Sequence, residues 1–290
     1  MNKPSFSEYL ILFRGGGELA SGAIRRLHLA GFSVVVLEIE KPVCVRRTVS
    51  FANAVYEFFW EVEGVSSALA PSVPGAFELI QKGIVPVLVD PEGESIAEFQ
   101  PTILVDARMA KKCLGTKGTD APVVIALGPG FSAPEDAHFI IETARGHDLG
   151  RVITRGSALP DTGIPGEVGK ETVHRVLRAP TSGLFVGNRN IGDFVQKDEV
   201  VAEVSGYPVL TRISGVLRGL LHDGLTVVEG QKVGDVDPRG DPSYCYRISD
   251  KANAIAGGVM EAVLRGISTL ASSSPSAIPP FHRHRFPSSR

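Results

Sequence analysis

Three consecutive glycines, Gly15-Gly16-Gly17, and an acid 21 residues after the last of them, Glu38, are the residues of this chain whose types and spacing most directly suggest chemistry. Glycine permits positive φ and lets backbone N–H groups approach an anion closely. A helix opening just after such a turn offers free N–H groups and the positive end of its dipole to the same anion. An acid at the end of the following strand can accept hydrogen bonds from ribose hydroxyls. The match is Gly15-x-Gly17-x-x-Ala20, with alanine in the third glycine slot. Candidate ligand-binding residues are therefore Gly15, Gly16, Gly17 and Glu38, with Glu40 as the alternative acid. Arg14, just before the glycines, and the pair Arg46-Arg47 are placed to read phosphate oxygens through two-point guanidinium contacts. The competing reading is a tight structural turn with a solvated basic face.

Further along, Asp106-Ala-Arg108 and Lys111-Lys112 follow an apolar run and suit a polar or phosphorylated group, although Asp106 equally suits a helix N-cap. Gly128-Pro-Gly130 repeats the logic of the first turn, with Pro129 removing one N–H. Glu142, Arg145 and His147 are acid–base candidates, His147 because its ordinary pKa lies nearest neutrality. Cys44 lies near Lys41, Arg46 and Arg47, whose charges would favour a thiolate, and Cys245 is a second soft nucleophile. Both equally suit small buried hydrophobes. Cys44, Cys113 and Cys245 have neither metal-ligand nor disulfide spacing, and no metal site is expected. The catalytic candidates are thus Asp106, His147 and Cys44, and whether the chain is an enzyme stays open.

The elements that must position these residues follow from periodicity. Apolar runs at 10–13, 34–37, 84–89, 102–105 and 123–127 lack polar alternation, as in strands buried on both faces of a parallel sheet. Residues 74–82 and 92–99 suit crossover helices. The fold class expected is α/β, a Rossmann-like, mostly parallel sheet with helices, plus a small all-β barrel-sandwich hybrid near the C-terminus. Residues 182–204 and 214–236 align without a gap at an offset of 32, which implies a pseudo-twofold pair of strand–turn–strand units. The expected division is 1–127 nucleotide-binding, 128–176 glycine-rich extension, 177–240 hybrid barrel, 241–268 helix and 269–290 disordered tail. His282 and His284 fall in that tail. At 290 residues, with 43% apolar content and 30 basic against 32 acidic residues, the chain has no electrostatic footprint for nucleic acid and no polybasic amphipathic stretch for a membrane surface. A cytoplasmic location is expected, no apolar run in the sequence reaching bilayer length and no signal peptide being visible.

The repeats look like the two halves of a biotinyl/lipoyl-type hybrid. The connection Ser205-Gly-Tyr-Pro-Val-Leu-Thr-Arg212 lacks a lysine, so no biotin or lipoate attachment is expected. Across residues 9–266 the chain resembles the YqeB-like accessory proteins of selenium-dependent molybdenum hydroxylases. The resemblance rests on Arg14-Gly-Gly-Gly-Glu-Leu-Ala-Ser-Gly22, Leu37-Glu-Ile-Glu-Lys-Pro42, Arg46-Arg-Thr-Val-Ser-Phe51 and Val105-Asp-Ala-Arg-Met-Ala-Lys-Lys112. It continues through Gly128-Pro-Gly-Phe131, Ile141-Glu-Thr-Ala-Arg-Gly-His-Asp-Leu-Gly150, Asp235-Val-Asp-Pro-Arg239 and Ile248-Ser-Asp-Lys251. Cys113 stands where the resemblance leads one to expect asparagine. What the resemblance implies is a maturation factor binding a nucleotide or dinucleotide, such as molybdopterin cytosine dinucleotide or NAD. Its partners would be the molybdenum hydroxylase apo-enzyme or other maturation proteins, with homo-oligomerisation left open. The alternatives are an NAD(P)-dependent oxidoreductase and a non-catalytic chaperone or binding module.

Overall fold

The computed structural model describes residues 6–163, 166–169 and 171–273. Its N-terminal part is built on β1 (Leu10–Arg14), β2 (Ser33–Glu38), β3 (Phe59–Val62), β4 (Val65–Ala70), β5 (Val85–Val89), β6 (Ile103–Asp106), β7 (Val123–Leu127), β8 (Phe139–Ile141) and β9 (Val152–Ile153). These form one sheet in the order β3-β4-β5-β2-β1-β6-β7-β8-β9. The seven central strands run parallel, and the outer pairs β3–β4 and β8–β9 are antiparallel, so the sheet is mixed. Every residue of β1, β2 and β7 is buried.

Alternation of side chains along each strand sends its residues to two separate cores. Ile11, Phe13, Val34 and Val36 enter one, with α1 (Glu18–Leu29). Leu10, Leu12, Val35 and Leu37 enter the other, with α3 (Val73–Gln81) and the single turn α4 (Ile96–Phe99). A further turn, α2 (Ala54–Glu57), follows the segment after β2. The first core is completed by a distant element, α5 (Asp250–Ser273), whose Ala252, Ile255, Ala256, Val259, Ala262 and Val263 are at most 1% exposed. Within Pro242–Ser272 an 18-residue window reaches a mean hydropathy of 1.3, so by length and composition alone this stretch could cross a bilayer. Its apolar stripe is nonetheless the face laid against α1 and the sheet.

Residues 176–237 form β10 (Val176–Arg178), β11 (Gly183–Gly187), β12 (Phe194–Val195), β13 (Val200–Val204), β14 (Tyr207–Leu210), β15 (Gly215–Leu220), β16 (Thr226–Val227) and β17 (Lys232–Asp237). They make two four-stranded sheets, β10-β17-β15-β12 and β14-β13-β11-β16, around a third core that includes Phe185, Val195, Leu217 and Val227. The short strand of each repeat pairs with the first strand of the other: β12 with β15, and β16 with β11.

This corrects the expectation of a biotinyl/lipoyl-like barrel in the C-terminal part. The β-rich residues are two open sheets with no hydrogen-bonded closure into a barrel, and the C-terminal part itself is one long apolar helix. The architecture is α/β with mixed sheets. The glycines and short apolar strands of the repeat suggested closure, but strand content alone does not decide whether edges join. The helix runs five residues beyond its expected end, to Ser273. The rest of the expected tail, with His282 and His284, lies outside the described residues.

Candidate functional site

The strand order reverses at β1, which lies between β2 and β6, and the carboxyl ends of these strands are where open α/β sheets leave a crevice. A cavity of about 620 Å³ opens there. Its walls include Gly15 and Gly17 after β1, Glu38 and Ile39 at the end of β2, and Ala107 and Arg108 after β6. The glycine turn is held by close packing. Gly15 has φ +97°, and a Cβ there would meet the Ala107 carbonyl oxygen at 3.0 Å. At Gly16 a Cβ would lie 2.9 Å from Val36 Cγ1 and 3.1 Å from the Ala52 nitrogen. At Gly17 it would meet only Cys44 Sγ, at 3.7 Å. Gly17 is the N-cap of α1 and makes no side-chain capping bond, so the first-turn amides of that helix have no cap from their own chain.

Glu38 is 9% exposed and is already engaged with the turn. Its Oε1 accepts from the Gly16 N–H at 2.6 Å and its Oε2 from the Ile39 N–H at 3.1 Å. Burial pushes its pKa up, and these two backbone bonds oppose that shift. The acid therefore braces the glycine turn as well as lining the cavity.

The arginines divide differently from the sequence expectation. Arg14 is 6% exposed, and its Nη2 donates to the carbonyls of Pro91 (3.1 Å) and Glu92 (3.0 Å), tying β1 to the loop after β5. Arg47 Nε donates to the Leu220 carbonyl at 3.2 Å, on the β-rich body. Neither lines the cavity. Arg46 does, and it is 5% exposed. It reaches Glu18 Oε1 at 2.5 Å and the carbonyls of Tyr244 and Arg247 at 2.7 and 2.8 Å. Its Nε is buried without a partner among the described residues.

The catalytic candidates are not brought together. Asp106 is 2% exposed and is consumed by Arg108, in a two-point pair, and by the Thr116 hydroxyl at 2.7 Å. His147 lies exposed in the loop between β8 and β9, away from the cavity. Glu142 accepts from the backbone N–H groups of Thr143, Ala144 and Leu159, which makes it a loop organiser. Arg145 pairs with Asp250. Cys44 lines the cavity, half-buried, and burial, then the charge of Glu38, push its pKa up to about 12. Cys245 is fully buried, with Sγ 3.8 Å from the Leu217 carbonyl, and Cys113 donates to the Thr116 carbonyl at 3.3 Å. Gly128 and Gly130 are packed against Thr143 and the Lys112 backbone, and they line neither this cavity nor the larger one beside it.

That larger cavity, of about 880 Å³, shares Glu18, Leu19, Arg46 and Lys232 with the first and extends between α1, Asp161, Gly163, residues 166–169, the sheet of β10, β15 and β17, and the start of α5. Sequence reasoning missed it because its basic residues are far apart in the chain, Arg175 and Arg178 at β10, Arg218 on β15 and Lys232 on β17 among them. Among the described residues, no group of three or more histidine, cysteine, aspartate or glutamate side chains is placed to hold a metal ion.

No protein-family profile matches the chain. It is 47% identical over 266 residues to "Uncharacterized protein YqeB" of Escherichia coli (strain K12), an alignment covering 91% of this chain and 49% of that protein. The chain thus spans about half the length of the relative it matches. Among solved structures, an aspartoacylase family protein from Mesorhizobium loti aligns at 11% identity and TM-score 0.23, over 73% of this chain and 59% of that one. A succinylglutamate desuccinylase/aspartoacylase from Rhodobacter sphaeroides aligns at 15% identity and TM-score 0.24, over 80% and 86%. Superpositions this poor support no inference about fold or activity. The sequence match does carry weight, and over nearly all its own residues the chain is homologous to YqeB.

Proposed function

We propose that this protein binds a nucleotide-bearing ligand at the Gly15–Gly17 turn and serves as a maturation factor for a selenium-dependent molybdenum hydroxylase. One observation carries the binding half of the reading. The uncapped start of α1 opens into a cavity of about 620 Å³ at the point where the strand order reverses, with Glu38 on its wall. That volume falls within the range typical of small-molecule pockets. Anion phosphates suit the helix amides, and Glu38, though engaged with the turn, has oxygens that can accept from a sugar hydroxyl. Arg46 is the cationic group best placed to assist, in place of Arg14 and Arg47. The ligand class is a nucleotide or dinucleotide, molybdopterin cytosine dinucleotide or NAD. The maturation role rests on the family resemblance of the motifs, the homology to YqeB supplying no role of its own. A cytoplasmic location and an apo-hydroxylase partner belong to the same proposal.

Gly17→Asp is the discriminating variant. Gly17 has φ −66°, and a Cβ there would make only an ordinary contact with Cys44 Sγ at 3.7 Å, so the fold accommodates a side chain there. The aspartate would set negative charge and bulk on the helix start. Calorimetric titration with NAD and with cytidine nucleotides is expected to show binding to the parent protein and at least a hundredfold loss in the variant. Equal affinity in the two would remove the site. Capture of an apo-hydroxylase by immobilised protein tests the partner separately.

A further inference from the structure

The larger of the two cavities is unusually charged for its degree of enclosure. Among the described residues, ten of the side chains lining its roughly 880 Å³ are basic and five are acidic, in a chain whose net charge is −2. Part of this charge is structural. Asp235 and Asp237, both fully buried, form a row on β17. Arg175 and Arg218 both bond Asp235, while Arg218 and Arg239 bond Asp237. Two carboxylates thus hold three guanidiniums, and both carboxylates are fully used.

The other cations are not explained by that network. Lys232 Nζ is 3.9 Å from Asp235 Oδ1, the oxygen already taken by Arg175. Lys251 and Arg247 make no ion pair among the described residues, and Arg178 donates only to the Gly230 carbonyl. Burial pushes Lys232 and Lys251 below their ordinary pKa values, with nearby carboxylates, Asp235 for the first and Glu18 and Asp161 for the second, opposing the shift. Arg46, at the boundary with the glycine-turn cavity, adds its partnerless Nε. A group of four cations beyond the needs of the fold, converging on one concave space, is a recognition feature for a multiply charged anion. A single carboxylate would be satisfied by one or two of them.

We propose that this cleft is a second anion site that takes a diphosphate-class group, with Lys232, Lys251, Arg178 and Arg247 as its ligand-facing cations and the Asp235-anchored Arg175 and Arg218 as its fixed floor. Arg175 and Arg218 are held in place before the anion arrives, so their reorganisation cost is small. The site can be tested apart from the nucleotide reading, because Lys251, Arg178 and Arg247 line this cleft and not the glycine-turn cavity.

The test is calorimetric titration of the full chain with inorganic pyrophosphate at low and at moderate salt. The expected result is saturable binding at one site, weaker at higher salt. The double variant Arg247→Gln/Lys251→Gln, whose residues line this cleft and not the glycine-turn cavity, should bind at least about tenfold more weakly. Lys82→Gln/Lys117→Gln, which removes two exposed lysines outside both cavities, should bind as the parent does. If the first double variant does not melt like the parent, exposed Arg178→Gln carries the test, with a loss of about threefold or more. No saturable binding by the parent, undiminished binding by the cleft variant that folds, or equal losses in the remote control would each overturn the proposal. Pyrophosphate binding without any response to NAD or cytidine nucleotides would leave this site standing and remove the glycine-turn reading. The reverse pattern would do the opposite.

Discussion

Three adjacent glycines do three different jobs here, and only the backbone around them tells which. Gly16 is filled in by Val36 and Ala52, so Gly16→Ala should cost about 1–3 kcal/mol in denaturant unfolding through overpacking. Gly17→Ala, with an ordinary contact to Cys44 Sγ and an ordinary φ, should stay within about 0.5 kcal/mol of the parent. Cys44 offers a chemical check. With its pKa pushed up to about 12, it should react with iodoacetamide at pH 8 at least a hundredfold more slowly in the native than in the denatured protein. Site-resolved mass spectrometry reads this directly, and a fast native reaction would contradict the raised pKa. Asp237 supplies a pH dependence. Burial alone would raise its pKa, but the bonds from Arg239 and the charge of Arg218 hold it below the usual carboxylate value. Its contribution to stability is therefore present above the unfolded value of about 3.9 and is lost as pH falls through the lower folded value. Asp237→Asn should show a shallower fall in stability below about pH 4 than the parent does in acid titrations followed by circular dichroism. Of the residues the sequence singled out, Gly15, Gly17, Glu38 and Arg46 line one cavity, the first three because a strand end or helix start fixes their backbones. Arg14 and Arg47 turn elsewhere, because a guanidinium lies several bonds from its backbone and adjacency in sequence does not say which way it points.

Elements with a strong period were readable, and those defined by a distant partner were not. The strands β1, β2, β5, β6 and β7 lie within one residue of the apolar runs, since burial on both faces leaves an uninterrupted Val/Ile/Leu signature. The β3–β4 hairpin escaped notice: its turn uses Glu63 at φ +44° and Gly64 at φ +80°, and its partly exposed strands break the alternation. The C-terminal helix was visible as a helix, but its partner was not. What fixes that partner is small residues. A Cβ at Gly22 on α1 would meet the Ala252 carbonyl oxygen at 2.7 Å, so the two helices approach at a distance only glycine permits. Gly22→Ala should therefore destabilise by about 1–3 kcal/mol, seen as a lower melting temperature with the secondary structure retained. An unchanged melting temperature would mean that α5 can shift away without cost.

On the scale of the whole molecule, Arg46 is the residue through which the parts feel one another. It leaves the segment after β2, pairs with Glu18 on α1, and donates to two carbonyls in the stretch between β17 and α5. Arg46→Ala would leave those acceptors without their donor, at a cost of at least about 2 kcal/mol. Scanning calorimetry should show one cooperative transition for the parent and two resolved transitions for this variant, because the sheet and the β-rich body would melt separately. A single transition in both would assign their coupling to other contacts. The duplicated strands have a different consequence. Since each copy lends its short strand to its twin, neither can be deleted, or swapped for a foreign sequence, without leaving a raw hydrogen-bonding border on the survivor. The two copies are consequently bound to a common fate, and substitutions tolerated by one are screened by the shape of the other.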